Sequence, residues 1–224
     1  NVMTVELEAS DNESGLYKYY FSKDGGKTHI ESDNPNYTFT SLDEGDYLVT
    51  AYVKENGFLG ILSYSEDDLF IATKSTIEGD FAHWFKDMLY AKISPENLEK
   101  IKEYIKENNV SFVFECVDMK NDPHIIEYPE SKLFLLDIVR NDIQFSKYTY
   151  EEMLDIARQF GLTHKEKAFE IANWQEFCDW YTDSLAEDYE YNGHKIEGFV
   201  IEDSNGYMVK LKLTYYKFWK FMRG

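Results

Sequence analysis

From Gly57 to the C-terminus, short strand-forming runs alternate with capped helical runs, and that alternation restricts the chain to a mixed α/β (α+β) architecture. Phe58 to Tyr64 and Leu69 to Thr73 read as a hairpin around Ser65-Glu66-Asp67-Asp68. A helix is expected from about Gly79 to Tyr90. The next has Ser94 as its cap and Pro95 at its first position, and Leu98, Ile101 and Ile105 share one face. Val110 to Val117 and Leu133 to Val139 read as strands. Thr149 with Glu152 forms a capping box for a helix ending near Gly161, and Asn173 caps another running to about Ala186. Tyr189–Tyr191 and Lys195–Ile201 are expected to pair around Asn192-Gly193. A last strand, Tyr207–Leu213, precedes a terminal helix, Tyr215–Arg223. With 43% hydrophobic and 17% aromatic residues, the chain has ample material for a packed core.

The first 53 residues carry β signals alone. Val5, Leu7 and Ala9 alternate with charged residues, Tyr17, Tyr19 and Phe21 alternate likewise, and Lys23-Asp24-Gly25-Gly26-Lys27 reads as a hairpin turn. The stretch resembles part of the immunoglobulin-like or fibronectin-like modules of bacterial surface proteins, which need about 90–100 residues for a full sandwich. It is therefore expected to be incomplete alone or to share strands with the downstream part of the chain. In such a module Val53-Lys54-Glu55-Asn56-Gly57 would be a final strand entering an Asn-Gly turn.

A net charge of −19 argues against a broad basic surface for gripping nucleic acid, but not against a pocket with a few local lysines. Cys116 and Cys178 are too few for a disulfide framework, which favours a cytoplasmic protein. No apolar run approaches the roughly 18 residues that span a bilayer. The five histidines lack metal-ligand spacing, and neither a P-loop nor a serine nucleophile elbow occurs.

The chemistry concentrates in lysines and acids. Lys54-Glu55-Asn56-Gly57 precedes the apolar run Phe58–Leu62, and Lys210 and Lys212 are two apart near the C-terminus. On a strand, that spacing puts both on one face. A lysine amine attacks phosphorus only when neutral, and nearby cations and partial burial favour that form. Lys210 and Lys212 are placed to hold phosphate oxygens, Glu115 and Glu197 to hold a hard cation through oxygen ligands, and Gly57 to let backbone approach a nucleotide.

In this order the motifs resemble the covalent nucleotidyltransferases, and within them the RNA ligase family of phage RNA ligase 1 and the fungal tRNA ligase adenylyltransferase domain. The lysine-x-aspartate/asparagine-glycine motif matches Lys54-Glu55-Asn56-Gly57, and a lysine-serine pair after a hairpin matches Lys74-Ser75. The acidic strand matches Phe112–Glu115, the strand ending in a polar or basic residue matches Leu133–Arg140, and the glutamate-glycine strand matches Glu197–Ile201. The lysine-x-lysine motif with a following tyrosine matches Lys210, Lys212 and Tyr216. The likeness covers roughly residues 47–224; each motif is weak alone, and the weight lies in their order.

The resemblance implies an ATP-grasp-like nucleotidyltransferase domain over residues 47–224, with mainly antiparallel sheets and flanking helices, preceded by a β-rich segment over 1–46. It implies ATP-dependent joining of RNA 5′-phosphate and 3′-hydroxyl ends, as in RNA repair or tRNA splicing, with Mg2+ or Mn2+ and no membrane. Lys54 is the implied nucleophile, with Lys210 and Lys212 as catalytic cations. Asn56, Gly57, Lys74, Glu115, Arg140, Glu197 and Tyr216 are the implied nucleotide contacts, and Glu115 and Glu197 the metal ligands. Residues 1–46 do not resemble the family's N-terminal region, and its C-terminal RNA-specificity domain has no counterpart, so sealing is expected to be weaker than self-adenylylation. The competing readings are a non-catalytic β-rich surface module, a ligase-like protein that adenylylates itself without sealing RNA, and a related enzyme acting on DNA ends or using GTP.

Overall fold

The computed structural model describes residues 2–6, 19–21, 30–32, 36–40 and 48–223. Two four-stranded antiparallel sheets carry the candidate site. The first has the order β10 (Lys167–Ile171), β5 (Val49–Lys54), β11 (Gly198–Asp203), β12 (Met208–Lys212). The second runs β7 (Asp68–Thr73), β6 (Phe58–Ser65), β8 (Val110–Val117), β9 (Lys132–Arg140). N-terminal to these, β1 (Val2–Glu6) pairs with β4 (Asn36–Thr40) and β2 (Tyr19–Phe21) with β3 (Ile30–Ser32). The turn expected at Lys23–Lys27 lies outside the described residues, although β2 and β3 on either side of it are antiparallel.

Strand alternation gives each sheet one dry face. In the first sheet, Ala51, Val53, Phe199, Ile201 and Leu211 pack under Phe177 and Trp180 of α4 (Trp174–Ser184). Thr50, Tyr52 and Lys54, with Lys210 and Lys212, consequently take the other face. In the second sheet, Phe112, Phe114 and Cys116 pack against α1 (Asp80–Lys92) and α2 (Pro95–Asn108) through Phe85, Leu89, Ile101 and Ile105. Glu115, out of phase with those three, takes the opposite face. α3 (Tyr150–Phe160) closes the same core with Met153, Leu154, Ala157 and Phe160. Its capping box forms as expected, with Thr149 and Glu152 bonding each other's backbone N–H, and Gly161 ends it at φ 63°.

Two readings change and one strand is new. Val49–Lys54 does not end an N-terminal module: β5 is an inner strand of the first sheet, flanked by β10 and β11. β10 carries no clear alternation in Lys167-Ala168-Phe169-Glu170-Ile171, and a register shift interrupts its pairing with β5. The expected Tyr189–Tyr191/Lys195–Ile201 hairpin shrinks to one bridge, Tyr191 to His194, around Asn192 and Gly193, both at positive φ. The strand proper starts at Gly198, and both its edges are occupied by β5 and β12.

The link Glu55–Gly57 joins the two sheets, and β5 and β6 diverge there. No helix among the described residues is long and apolar enough to cross a membrane.

Candidate active site

The site forms where β5 leaves the first sheet. Gly198 of β11 pairs with Lys54 on one side and Lys212 of β12 on the other, so the two lysines flank a single glycine. The preceding residue, Glu197, is 2% exposed and joins them: its Oε2 lies 2.9 Å from Lys54 Nζ and its Oε1 3.2 Å from Lys212 Nζ. A carboxylate this buried is costly unless paired, and here each oxygen meets an ammonium group. Asn56 Nδ2 donates to the same Oε2 at 2.9 Å, and Lys54 Nζ also donates to the Glu55 carbonyl at 3.2 Å. Lys212 Nζ lies 4.9 Å from the centre of the buried Tyr216 ring, within cation–π range.

Glu115 brings in the second sheet. Its Oε1 accepts the Gly57 N–H at 2.9 Å. Burial raises the pKa of the Glu115 carboxyl; Lys54 opposes this, as do the Gly57 N–H and Lys210, while Glu197 adds to it. Lys210 is thus felt at Glu115, yet it is exposed and has no ion-pair partner among the described residues. The two carboxylates Glu115 and Glu197 suit Mg2+ or Mn2+, which commonly binds through one or two carboxylates plus substrate phosphates. No cluster of three or more acidic, His or Cys ligands occurs among the described residues, so a metal here would depend on the nucleotide for further ligands.

Two glycines are dictated by close approach. A Cβ on Gly57 would lie 2.2 Å from the Cys116 carbonyl oxygen, and one on Gly198 would lie 1.9 Å from that of Leu211. Neither neighbour is a side chain that can swing away. Gly57→Ala and Gly198→Ala are therefore each expected to destabilise the fold by about 1–3 kcal/mol or more, as overpacking does. A lowered urea midpoint would show it; an unchanged midpoint for either variant would contradict the tight crossing.

The other expected residues are placed differently. Lys74 is exposed just beyond the Gly60–Thr73 pair, with no ion pair to Glu115 or Glu197. Arg140 pairs with Val110, five residues along β8 from Glu115, or roughly 17 Å at strand rise, and its guanidinium stacks over Tyr148 at 4.6 Å.

Two features carry no sequence signal. Tyr128, in the β8–β9 loop, accepts the Asn56 N–H at 2.8 Å and donates to Glu55 Oε2 at 2.9 Å. Burial pushes the Glu55 carboxyl up to about 7; the Tyr128 hydrogen bond and Lys132 pull the other way, while Glu115 and Glu166 push it further up. Finally, Lys147 Nζ bridges Asp137 of one sheet at 3.0 Å and Glu202 of the other at 2.9 Å. Lys165 joins Asp137 at 2.9 Å and lies 4.2 Å from the Tyr52 ring centre. Burial lowers the Lys165 pKa, with Lys147 adding to that and Asp137 opposing it. This ionic cluster ties the sheets together away from the Glu55–Gly57 link.

Two antiparallel sheets with flanking helices, facing each other across these lysines and carboxylates, form the nucleotidyltransferase fold of ATP-dependent RNA and DNA ligases. The chain belongs to the RNA ligase family of the phage RNA ligase 1 type, whose family model, described as RNA ligase, matches residues 24–216. A tRNA ligase of Candida albicans is 27% identical over 113 residues, which are 47% of this chain and 13% of that protein. Among solved structures, a mutant Naegleria gruberi RNA ligase with ATP and Mn has a TM-score of 0.59 at 14% identity, covering 76% of this chain and 51% of that one. An archaeal ATP-dependent RNA ligase has a TM-score of 0.52 at 15% identity, covering 75% of this chain and 42% of that one. The chain thus spans about half or less of each of these relatives.

Proposed function

We propose that this chain is the adenylyltransferase unit of an ATP-dependent RNA ligase, with residues 47–224 as the catalytic domain and 1–46 as a β-rich segment before it. The observation that carries the reading is Glu197 held between Lys54 and Lys212, with Glu115 holding Gly57 at the nucleophile turn. Lys54 Nζ attacks the α-phosphorus of ATP. A P–N bond forms, the bond to pyrophosphate breaks, and the amine loses its proton to solvent or to a neighbouring carboxylate. AMP then passes from Lys54 to an RNA 5′-phosphate, and an RNA 3′-hydroxyl displaces it to close the phosphodiester.

Glu197 orients the Lys54 amine in the resting site, and Asn56 fixes that carboxylate by sharing Oε2. Lys212 and Lys210 meet the charge that develops on the transferring phosphate. A divalent cation bound by Glu115 and Glu197 supplies charge neutralisation for the phosphates. The substrates are ATP and RNA ends, with cleaved tRNA halves the favoured class and the cytoplasm the compartment.

The −19 charge supports a second reading of the same site, self-adenylylation with poor sealing. Pocket lysines act at short range, whereas the whole-chain charge repels RNA out to a Debye length of about 8 Å. The test supplies labelled ATP, a divalent metal and 5′-phosphorylated RNA with a free 3′-hydroxyl, then repeats the assay with pre-adenylylated RNA. Labelled protein together with closed RNA supports the ligase. Labelled protein without closure in either arm supports the second reading. No labelled protein contradicts both.

A further inference from the structure

The three-residue link between β5 and β6 has no strand partner among the described residues, so other groups hold it. Asn56 is 4% exposed, and a buried backbone N–H is rarely left unpaired. Its N–H goes to the Tyr128 hydroxyl at 2.8 Å. That hydroxyl gives its own proton to Glu55 Oε2 at 2.9 Å, so one oxygen restrains both residues after Lys54. The Tyr128 ring is itself braced, 6.5 Å between centres from Phe134, and Phe134 pairs with Glu115 across the β8–β9 ladder. From the same loop, the Ile126 N–H donates to Asn56 Oδ1 at 3.3 Å.

The restrained peptide leads directly to the nucleophile. Lys54 Nζ donates to the carbonyl of Glu55 and contacts the same Glu197 oxygen as Asn56 Nδ2. Rotating the Glu55–Asn56 peptide would carry off one acceptor of the amine and shift the donor that fixes the other. We propose that Tyr128 is a positioning residue for adenylyl transfer, its hydroxyl locking the Glu55–Asn56 peptide so that the Lys54 amine is held on its line of attack.

The inference rests on the reading of Lys54 as the nucleophile. Tyr128 acts through Lys54 rather than on the nucleotide, which separates it from a substrate contact and from a merely packed ring. Tyr128→Phe keeps the ring against Phe134 and removes only the hydroxyl. Single-turnover formation of lysyl-AMP at saturating ATP is expected to fall by about tenfold to a hundredfold, the scale of a misplaced reacting group. The ATP concentration giving half-maximal rate should stay within about twofold, since no binding contact is removed. Exchange of the Asn56 amide proton, read by NMR, should rise. Tyr104→Phe is the control: it removes a comparable hydroxyl contact, to Tyr148, beside the core under α2 and α3, and should keep the parent rate. If the parent forms lysyl-AMP and Tyr128→Phe matches its rate, or loses only apparent ATP affinity, or leaves Asn56 exchange unchanged, the positioning role is overturned. If the parent forms no lysyl-AMP, the nucleophile reading falls first and the positioning role falls with it.

Discussion

Lys54→Ala will form no covalent AMP adduct, and it will remain folded. The first half rests on chemistry: a phosphoramidate needs an amine, and the other lysines close to Glu197 and Glu115 are on β12, not at the end of β5 that leads into the link. The second half rests on the contacts that survive. Without Lys54, Glu197 keeps Lys212 on Oε1 and the Asn56 amide on Oε2, so its buried charge is not orphaned. The loss should be nearer 1 kcal/mol than the roughly 3–5 kcal/mol lost when a buried charge is left alone. Intact-mass measurement after incubation with ATP and Mn2+, together with a thermal melt, reads both. An adduct on the variant would remove Lys54 from the mechanism, and a collapsed fold would make its primary role structural.

Lys210→Ala and Lys212→Ala will each slow adenylylation by on the order of a hundredfold or more, the effect of losing a group that stabilises transition-state charge. Their stabilities should differ. Lys212 is one of two ammonium partners of Glu197, so its removal leaves Oε1 facing no charge and weakens the fold. Lys210 is exposed and unpaired among the described residues, so its removal should leave the melting temperature near the parent value. Stopped-time labelling gives the rates, and denaturation gives the stabilities. If both variants adenylylate at the parent rate, the pair is only the solvated face of β12. If Lys210→Ala melts far below the parent, Lys210 has a structural partner beyond the contacts described above.

The chemistry-bearing strands were legible because alternation and spacing are local. Lys210 and Lys212 share a face by strand geometry alone, and an acid at Glu115 amid phenylalanines marks a buried position that needs a polar partner. What joins them is not local. That Glu197 stands between Lys54 and Lys212 depends on β11 being sandwiched by β5 and β12, which brings the first and last strands of the two sheets to either side of one strand. Tyr128 carries no periodic or motif signal: its loop has no regular structure, and its partners are over 70 residues away in sequence. Arg140 illustrates the converse. It ends a strand in the expected place, but strand direction puts that end opposite Val110, away from Glu115. The Lys147–Asp137–Lys165–Glu202 cluster escaped for the same reason as Tyr128, since its members come from separate strands and loops that meet only when both sheets face each other.

The central claim is that one cleft between the two sheets transfers AMP to Lys54. A crystal structure of the chain with a non-hydrolysable ATP analogue and Mn2+ tests it most directly. The expected result places the α-phosphorus roughly 3–3.5 Å from Lys54 Nζ, the separation of reacting atoms poised to combine. It also places Mn2+ against Glu115 or Glu197 and phosphate oxygens on Lys210 or Lys212. A nucleotide bound elsewhere, or with its α-phosphate turned away from Lys54 toward solvent, would contradict the claim.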